Sequence, residues 1–161
     1  MQNLLIKVYK NKRLSSFLHL LSHAVSLLCV LVLGFDLAFL ALGGEYADAA
    51  VIAASLFVGF VLVSLVRKAI DAPRPYELYG FYEDKPKERE GRSFPSRHAY
   101  SAFSIATAAF SVHPLLGGAF ILLASLMCAS RVLLGIHFIR DVVCGALLGI
   151  IAGGVALIFV M

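Results

Sequence analysis

The sequence predicts an all-α fold, a polytopic transmembrane helix bundle of about five spans preceded by an N-terminal interfacial helix. Composition is the first of three observations behind this. Of 161 residues, 60% are hydrophobic and 15% are charged, against roughly 45–50% and 25% in soluble domains. The mean hydropathy is correspondingly high, +0.88. Second, the apolar residues gather in runs close to the ~20 residues that cross a bilayer as a helix. Third, the net charge of +4 is confined to short stretches. That distribution suits polar lipid head groups and argues against a nucleic-acid partner. The length allows a single domain over 1–161. Trp is absent, so an interfacial aromatic belt has to use Tyr.

Residues 1–16 interleave Leu4, Leu5, Ile6 and Val8 with Lys7, Lys10, Lys12 and Arg13. Such a pattern predicts a short amphipathic helix lying in the interface. Phe17 to Leu42 is dominated by apolar residues and is too long for a signal-peptide core, so it is expected to be an uncleaved first span. His19, His23 and Asp36 interrupt it; they are expected near the span ends or against neighbouring helices. Gly43-Gly44-Glu45-Tyr46-Ala47-Asp48 forms a turn, and a second span over about 49–66 ends at Arg67-Lys68. Residues 69–95 are the one long polar segment, and a connection of this length between spans is more often functional than a bare linker.

A third span is predicted over about 96–112, where Ser96, Ser101, Ser104, Thr107 and several alanines favour close helix packing in lipid. His113-Pro114 marks a turn, 115–130 a fourth span, and about 137–161 a fifth. Gly145, Gly149, Gly153 and Gly154 are contact points on the fifth, and Gly145-x-x-x-Gly149 has the spacing of a helix–helix contact. Cys29, Cys128 and Cys144 fall inside apolar runs without paired spacing. They read as small buried hydrophobes, not as disulfides or a metal site.

Five spans bring the ends at Arg67, Ser96, Ser130 and His137 to one face of the membrane. The turns at 43–48 and 112–115 and the C-terminus fall on the other. Three chemically loaded segments thus converge. In Arg67-Lys68-Ala-Ile-Asp71-Ala-Pro73-Arg74-Pro75, the prolines stiffen the chain on either side of Arg74. In Ser93-Phe94-Pro95-Ser96-Arg97-His98, Pro95 and Ser96 suit a helix start, where free N–H groups favour an anion and His98 can deliver a proton. A plain helix N-terminus with Ser96 as its cap explains the same residues.

The third segment, Ser130 to Asp141, places Arg131, His137 and Asp141 between two apolar runs, where ionisable groups are costly and usually functional. On a helix, His137 and Asp141 share a face, so the carboxylate can orient the imidazole through one ring nitrogen. Arg131 offers a fork of donors for phosphate. No Asp/Glu cluster points to magnesium and no Cys/His spacing to zinc. The inventory fits a metal-free, cofactor-free phosphoryl transfer through a histidine.

The three segments resemble the type 2 phosphatidic acid phosphatase family, membrane lipid phosphatases related to the soluble vanadium haloperoxidases. Its signatures are Lys-x6-Arg-Pro, Pro-Ser-Gly-His and Ser-Arg-x5-His-x3-Asp. The third matches in full at Ser130, Arg131, His137 and Asp141. The second stands as Pro95-Ser96-Arg97-His98, with Arg97 where the family usually has glycine. The first has Arg74-Pro75; strict spacing puts Arg67 at the lysine position and leaves Lys68 one residue off. The matched region runs from 67 to 141.

The resemblance implies that His137 attacks phosphorus and carries a phosphohistidine, that Asp141 orients it, and that His98 protonates the departing lipid oxygen. It implies that Arg67 or Lys68, together with Arg74, Ser96 and Arg131, holds the phosphoryl oxygens, aided by backbone N–H groups at 97 and 98. Arg97 adds bulk and charge where glycine would let the backbone approach; contact with a second phosphate would favour a diphosphate. Polyprenyl diphosphates such as undecaprenyl diphosphate, phosphatidate and phosphatidylglycerol phosphate all suit such a pocket. The expected setting is a bacterial cytoplasmic membrane. The basic N-terminus shares a face with the loaded segments, so the positive-inside rule points them to the cytoplasm, whereas the family usually works on the outer face. Labelling of a cysteine introduced at position 85 decides between the two. The rival readings are a small transporter, which would carry its charges near mid-span, and a non-catalytic scaffold, against which both histidines and Asp141 argue.

Overall fold

The computed structural model describes residues 2–80 and 91–160. The middle of the polar segment, including position 85, lies outside the described residues. In chain order the helices are α1 (Gln2–Lys10), α2 (Lys12–Leu42), α3 (Tyr46–Ile70), α4 (Pro75–Tyr79), α5 (Arg97–Ala108), α6 (Pro114–Leu133) and α7 (Ile139–Val160), with a 3-10 turn at Ala109–Ser111 after α5.

The helix ends follow local chemistry. Asn11 breaks α1 from α2 and its side chain accepts from Leu14 N at 3.1 Å, satisfying a donor of the first turn. Gly44, at φ 86°, turns the chain into α3, a conformation that glycine adopts freely. Pro75 opens α4, where Glu77 completes a capping box with Arg74. Ser96 caps α5 by accepting from Ala99 N at 3.3 Å. His113 caps α6 through Nδ1, which accepts from Leu115 N, and Pro114 follows.

Among the described residues, four helical stretches are long and apolar enough to cross a membrane: Lys12–Leu42, Tyr46–Tyr79, Pro114–Leu133 and Ile139–Val160. The segment expected as the third span departs from this pattern. Helix α5 has 12 residues, about 18 Å of rise, short of the ~30 Å hydrocarbon core. It lies in the middle of the bundle against α7, α6, α3 and α2. Ala99, Tyr100, Ala102, Ser104, Ile105, Ala106 and Ala108 are all buried. Its small residues and hydroxyls serve the close helix packing expected of them. Thr107 Oγ1 donates back to Phe103 O at 2.8 Å, and Tyr100 Oη donates to Leu56 O at 2.9 Å.

The glycines of α7 explain the tight α5–α7 contact. A Cβ at Gly145 would meet the Ser96 carbonyl oxygen, and one at Gly149 would meet the Tyr100 carbonyl oxygen. The outer surface, by contrast, exposes Leu27, Leu31, Phe57, Leu62, Leu147 and Ile151, as expected of helices facing lipid. Asp36 is buried at 1% exposure, against neighbouring helices. The cysteines are free, with Cys29 and Cys128 buried. Helix α1 buries Leu5 and Val8. Val8 and Leu18 pack with Leu134 and Ile136, so the basic N-terminus sits at the same end as the α6–α7 connection.

Candidate active site

At that end a cavity of about 510 Å3 opens, lined by Arg67, Lys68, Arg74, Arg97, Arg131, His98 and His137 together with Ser64, Gly91 and Arg92. Residues separated by up to 73 positions in sequence, Ser64 and His137, thus share one wall, as the alternation of spans predicts. Each is placed by a distinct local device.

Arg67, in the last turn of α3, is buried; its Nη1 donates to Ser93 O at 3.3 Å and to Pro95 O at 3.1 Å. It therefore fastens the second segment as well as charging the cavity. Lys68 is exposed on the cavity wall. Both positions left open for the first motif's cation reach the cavity, in different roles. Arg74 is buried and its Nε donates to Gly91 O at 3.1 Å. Glu77 Oε1 accepts from Gly91 N at 2.6 Å, so α4 clamps the far end of the polar segment. Tyr76 N donates to Gly135 O at 3.2 Å, which ties α4 to the α6–α7 connection.

Ser96 is not on the cavity wall. It is fully buried and caps α5, as the alternative reading of that segment held, and its N–H donates to Asp141 O at 3.0 Å. Arg97 and His98, the first two residues of α5, face the cavity. Arg97 also stacks over Phe60, with Cζ 5.7 Å from the ring centroid. Arg131, in the last turn of α6, is buried, and its carbonyl accepts from Ile136 N and His137 N. That carbonyl and Gly135 at φ 68° fold the connection so that His137 points inward.

His137 precedes α7, which begins at Ile139. The two side chains therefore do not stack as on a continuous helix. His137 Nδ1 lies 3.7 Å from Asp141 Oδ2, and Asp141 Oδ2 accepts from Phe138 N at 2.9 Å. Ser93 Oγ stands between them, donating to Asp141 Oδ2 at 2.5 Å and lying 3.4 Å from His137 Nδ1. His137 is 1% exposed and Asp141 0%. Burial pushes the imidazole pKa below its usual value; the Asp141 carboxylate opposes this, and the Arg131, Arg74 and Arg67 charges add to the lowering.

Two residues of the site carried no motif signal. Arg92, at φ 53°, lines the cavity and pairs with Asp71, Nε to Oδ1 3.7 Å. Ser93 opens the second segment but stood outside its Pro-Ser-x-His core. Among the described residues no group of three or more His, Cys, Asp or Glu side chains is arranged to hold a metal ion.

Beside the cationic cavity lies a second, apolar one of about 310 Å3, which shares Arg97 and His98 with it and adds Cys29, Val30, Phe60 and Ile105. A third, of about 630 Å3, continues between α2 and α3 past Leu33, Leu56 and Phe57, with Val30, Phe60 and Ile105 common to both.

Among solved structures, the chain is similar to LpxE of Aquifex aeolicus, at 31% identity and a TM-score of 0.68, covering 89% of this chain and 85% of that one. It also shares its fold with a transmembrane PAP2-type phosphatidylglycerolphosphate phosphatase from Bacillus subtilis, at 22% identity and a TM-score of 0.68, covering 91% of this chain and 76% of that one. A search of curated proteins finds no match. The PAP2 superfamily model matches residues 48–161, a stretch holding every named residue of the cationic cavity. This multi-pass membrane chain belongs to the PAP2 superfamily.

Proposed function

We propose that the chain is an integral-membrane lipid phosphatase that hydrolyses a lipid phosphate or diphosphate through a phosphohistidine on His137, without a metal. The observation that carries this reading is the joining of two cavities. One is cationic and holds both histidines; the other is apolar; and Arg97 and His98 border both. A phosphate in the first with its hydrocarbon in the second is what a lipid phosphate requires.

In the first step His137 Nε2 donates its lone pair to phosphorus. The bond to the leaving oxygen breaks, and His98 supplies the proton that oxygen needs. The leaving group is a lipid alcohol, or a lipid monophosphate if the substrate is a diphosphate. In the second step water attacks the phosphohistidine, His98 takes its proton, and inorganic phosphate leaves as Nε2 recovers its electron pair. Arg67 or Lys68, with Arg74 and Arg131, neutralises charge on the phosphoryl oxygens, and the burial of Arg67, Arg74 and Arg131 makes those contacts count for more than they would in open water. Ser96 acts from behind, holding the α5 start against Asp141. Arg97 is positioned at the junction of the cavities to meet a second phosphate, which favours diphosphate substrates such as polyprenyl diphosphates over phosphatidate.

The test is phosphate release by detergent-purified protein from a panel of lipid mono- and diphosphates in EDTA, with His137→Ala as the paired control. Release that disappears in the variant supports the reading. No release by folded wild type from any lipid would move the assignment to a non-catalytic scaffold.

A further inference from the structure

His137 and Asp141 do not touch through a direct hydrogen bond, because 3.7 Å exceeds the ~2.7–3.2 Å of a normal N–H···O bond. The gap is filled by a hydroxyl. Ser93 Oγ donates to Asp141 Oδ2 at 2.5 Å and lies 3.4 Å from His137 Nδ1. A serine hydroxyl has one hydrogen and two lone pairs, and an ionised carboxylate only accepts. With its hydrogen committed to Asp141, the Ser93 oxygen has only acceptance to offer His137. Nδ1 must then carry the ring proton, which leaves the Nε2 lone pair for the substrate. At 3.4 Å the Ser93 oxygen stands nearer to Nδ1 than the carboxylate does, Asp141 Oδ2 being 3.7 Å away.

The surroundings hold this arrangement. Asp141 Oδ2 also accepts from Phe138 N at 2.9 Å, which keeps the carboxylate from swinging to the ring. Ser93 N donates to Ala72 O at 2.8 Å, and Ser93 O accepts from Arg67 Nη1 at 3.3 Å. Ser93, His137 and Asp141 are all at most 1% exposed, so bulk water does not compete for these partners.

We propose that Ser93 is a positioning residue of the phosphatase reaction, the hydroxyl through which Asp141 sets the tautomer and orientation of His137. The proposal rests on His137 being the nucleophile. It extends the His–Asp pair to a chain of three and gives Arg67 a second task, fixing the Ser93 backbone.

The experiment compares Ser93→Ala, Ser93→Cys and Ser93→Thr with wild type by steady-state phosphate release and thermal unfolding. Ser93→Ala is expected to lower kcat about 10–100-fold with KM changed by less than about threefold, since a group acting only through the nucleophile contributes in the transition state. Ser93→Cys keeps the size but is a weak donor; it is expected to unfold like wild type and to be impaired like Ser93→Ala. Ser93→Thr keeps the hydroxyl and is expected to recover about tenfold over Ser93→Ala. Wild-type kcat in Ser93→Cys overturns the proposal, as does a loss confined to KM, or a folded Ser93→Thr no better than Ser93→Ala. Should Ser93→Thr fail to fold, the Ser93→Cys result decides alone. If His137→Ala were as active as wild type, the nucleophile assignment itself would fall, a result these serine variants cannot mimic.

Discussion

Gly145→Ala tests whether the α5–α7 contact positions the chemistry. The added Cβ would collide with the Ser96 carbonyl oxygen and lie 3.1 Å from Ala99 Cβ and 3.3 Å from Ser96 C. Carbon pairs are comfortable at about 3.5–4.0 Å, and two of these three neighbours are backbone atoms that cannot rotate away. Relief therefore needs α5 to retreat from α7 by roughly 0.5–1 Å to restore those distances. Overpacking of this kind costs about 1–3 kcal/mol, partly offset by the ~1 kcal/mol helix preference of Ala over Gly. The larger effect falls on catalysis. Helix α5 carries His98, α7 carries Asp141, and the Ser96 N to Asp141 O bond of 3.0 Å joins their starts. Because a ~1 Å misplacement of reacting groups can cost ~100-fold, we expect kcat to fall about 10–100-fold with only modest loss of thermal stability. Gly154→Ala, where a Cβ meets nothing within 4 Å, is the control and should retain full activity. The reasoning is refuted if Gly145→Ala keeps wild-type turnover, or if Gly154→Ala is equally impaired.

Four other outcomes are expected. His137→Ala should abolish phosphate release and any acid-labile phosphoenzyme, and Asp141→Asn should reduce kcat by about 100-fold or more while both proteins remain folded; near-wild-type rates in either would remove the mechanism. The imidazole attacks only when neutral, and its lowered pKa keeps it neutral below the usual value. The acid limb of kcat/KM should therefore fall below about pH 6.5, and a limb at or above that value would contradict the burial argument. Activity should persist in EDTA, and full restoration of an EDTA-inactivated sample by one divalent metal would count against a histidine-only route. Arg97→Gly should narrow the preference for diphosphate over monophosphate lipids, measured as a ratio of kcat/KM values; an unchanged ratio would separate Arg97 from substrate choice.

Much of this site was legible because its residues are costly where they stand. Arg131, His137 and Asp141 interrupt apolar runs, and Pro73, Pro75 and Pro95 punctuate the chain beside Arg74 and His98. Alternation of spans then brought them to one face without any knowledge of packing. Other features gave no such signal. Arg92 sits in a segment already rich in charge, so composition does not distinguish it. Ser93 is one serine among several, and its partners lie 44 and 48 residues away. The spacing of His137 and Asp141 pointed to stacked neighbours on a helix, but the helix starts only at Ile139, which opens the gap Ser93 occupies.

The amino-acid sequence by itself determined that the chain lives in a membrane, the order of its long apolar helices, and most of the side chains that meet at one end. These follow from local free energies: apolar runs must leave water, backbone groups in lipid must bond internally, and charges must find the ends. Tertiary structure alone decided that α5 is a short buried helix, that Ser96 caps and does not line the cavity, and that a hydroxyl joins His137 to Asp141. Those outcomes depend on how closely α5 and α7 approach, and hence on which backbone atoms face Gly145 and Gly149. Distances of that kind arise between segments far apart in sequence, and no periodicity along the chain encodes them.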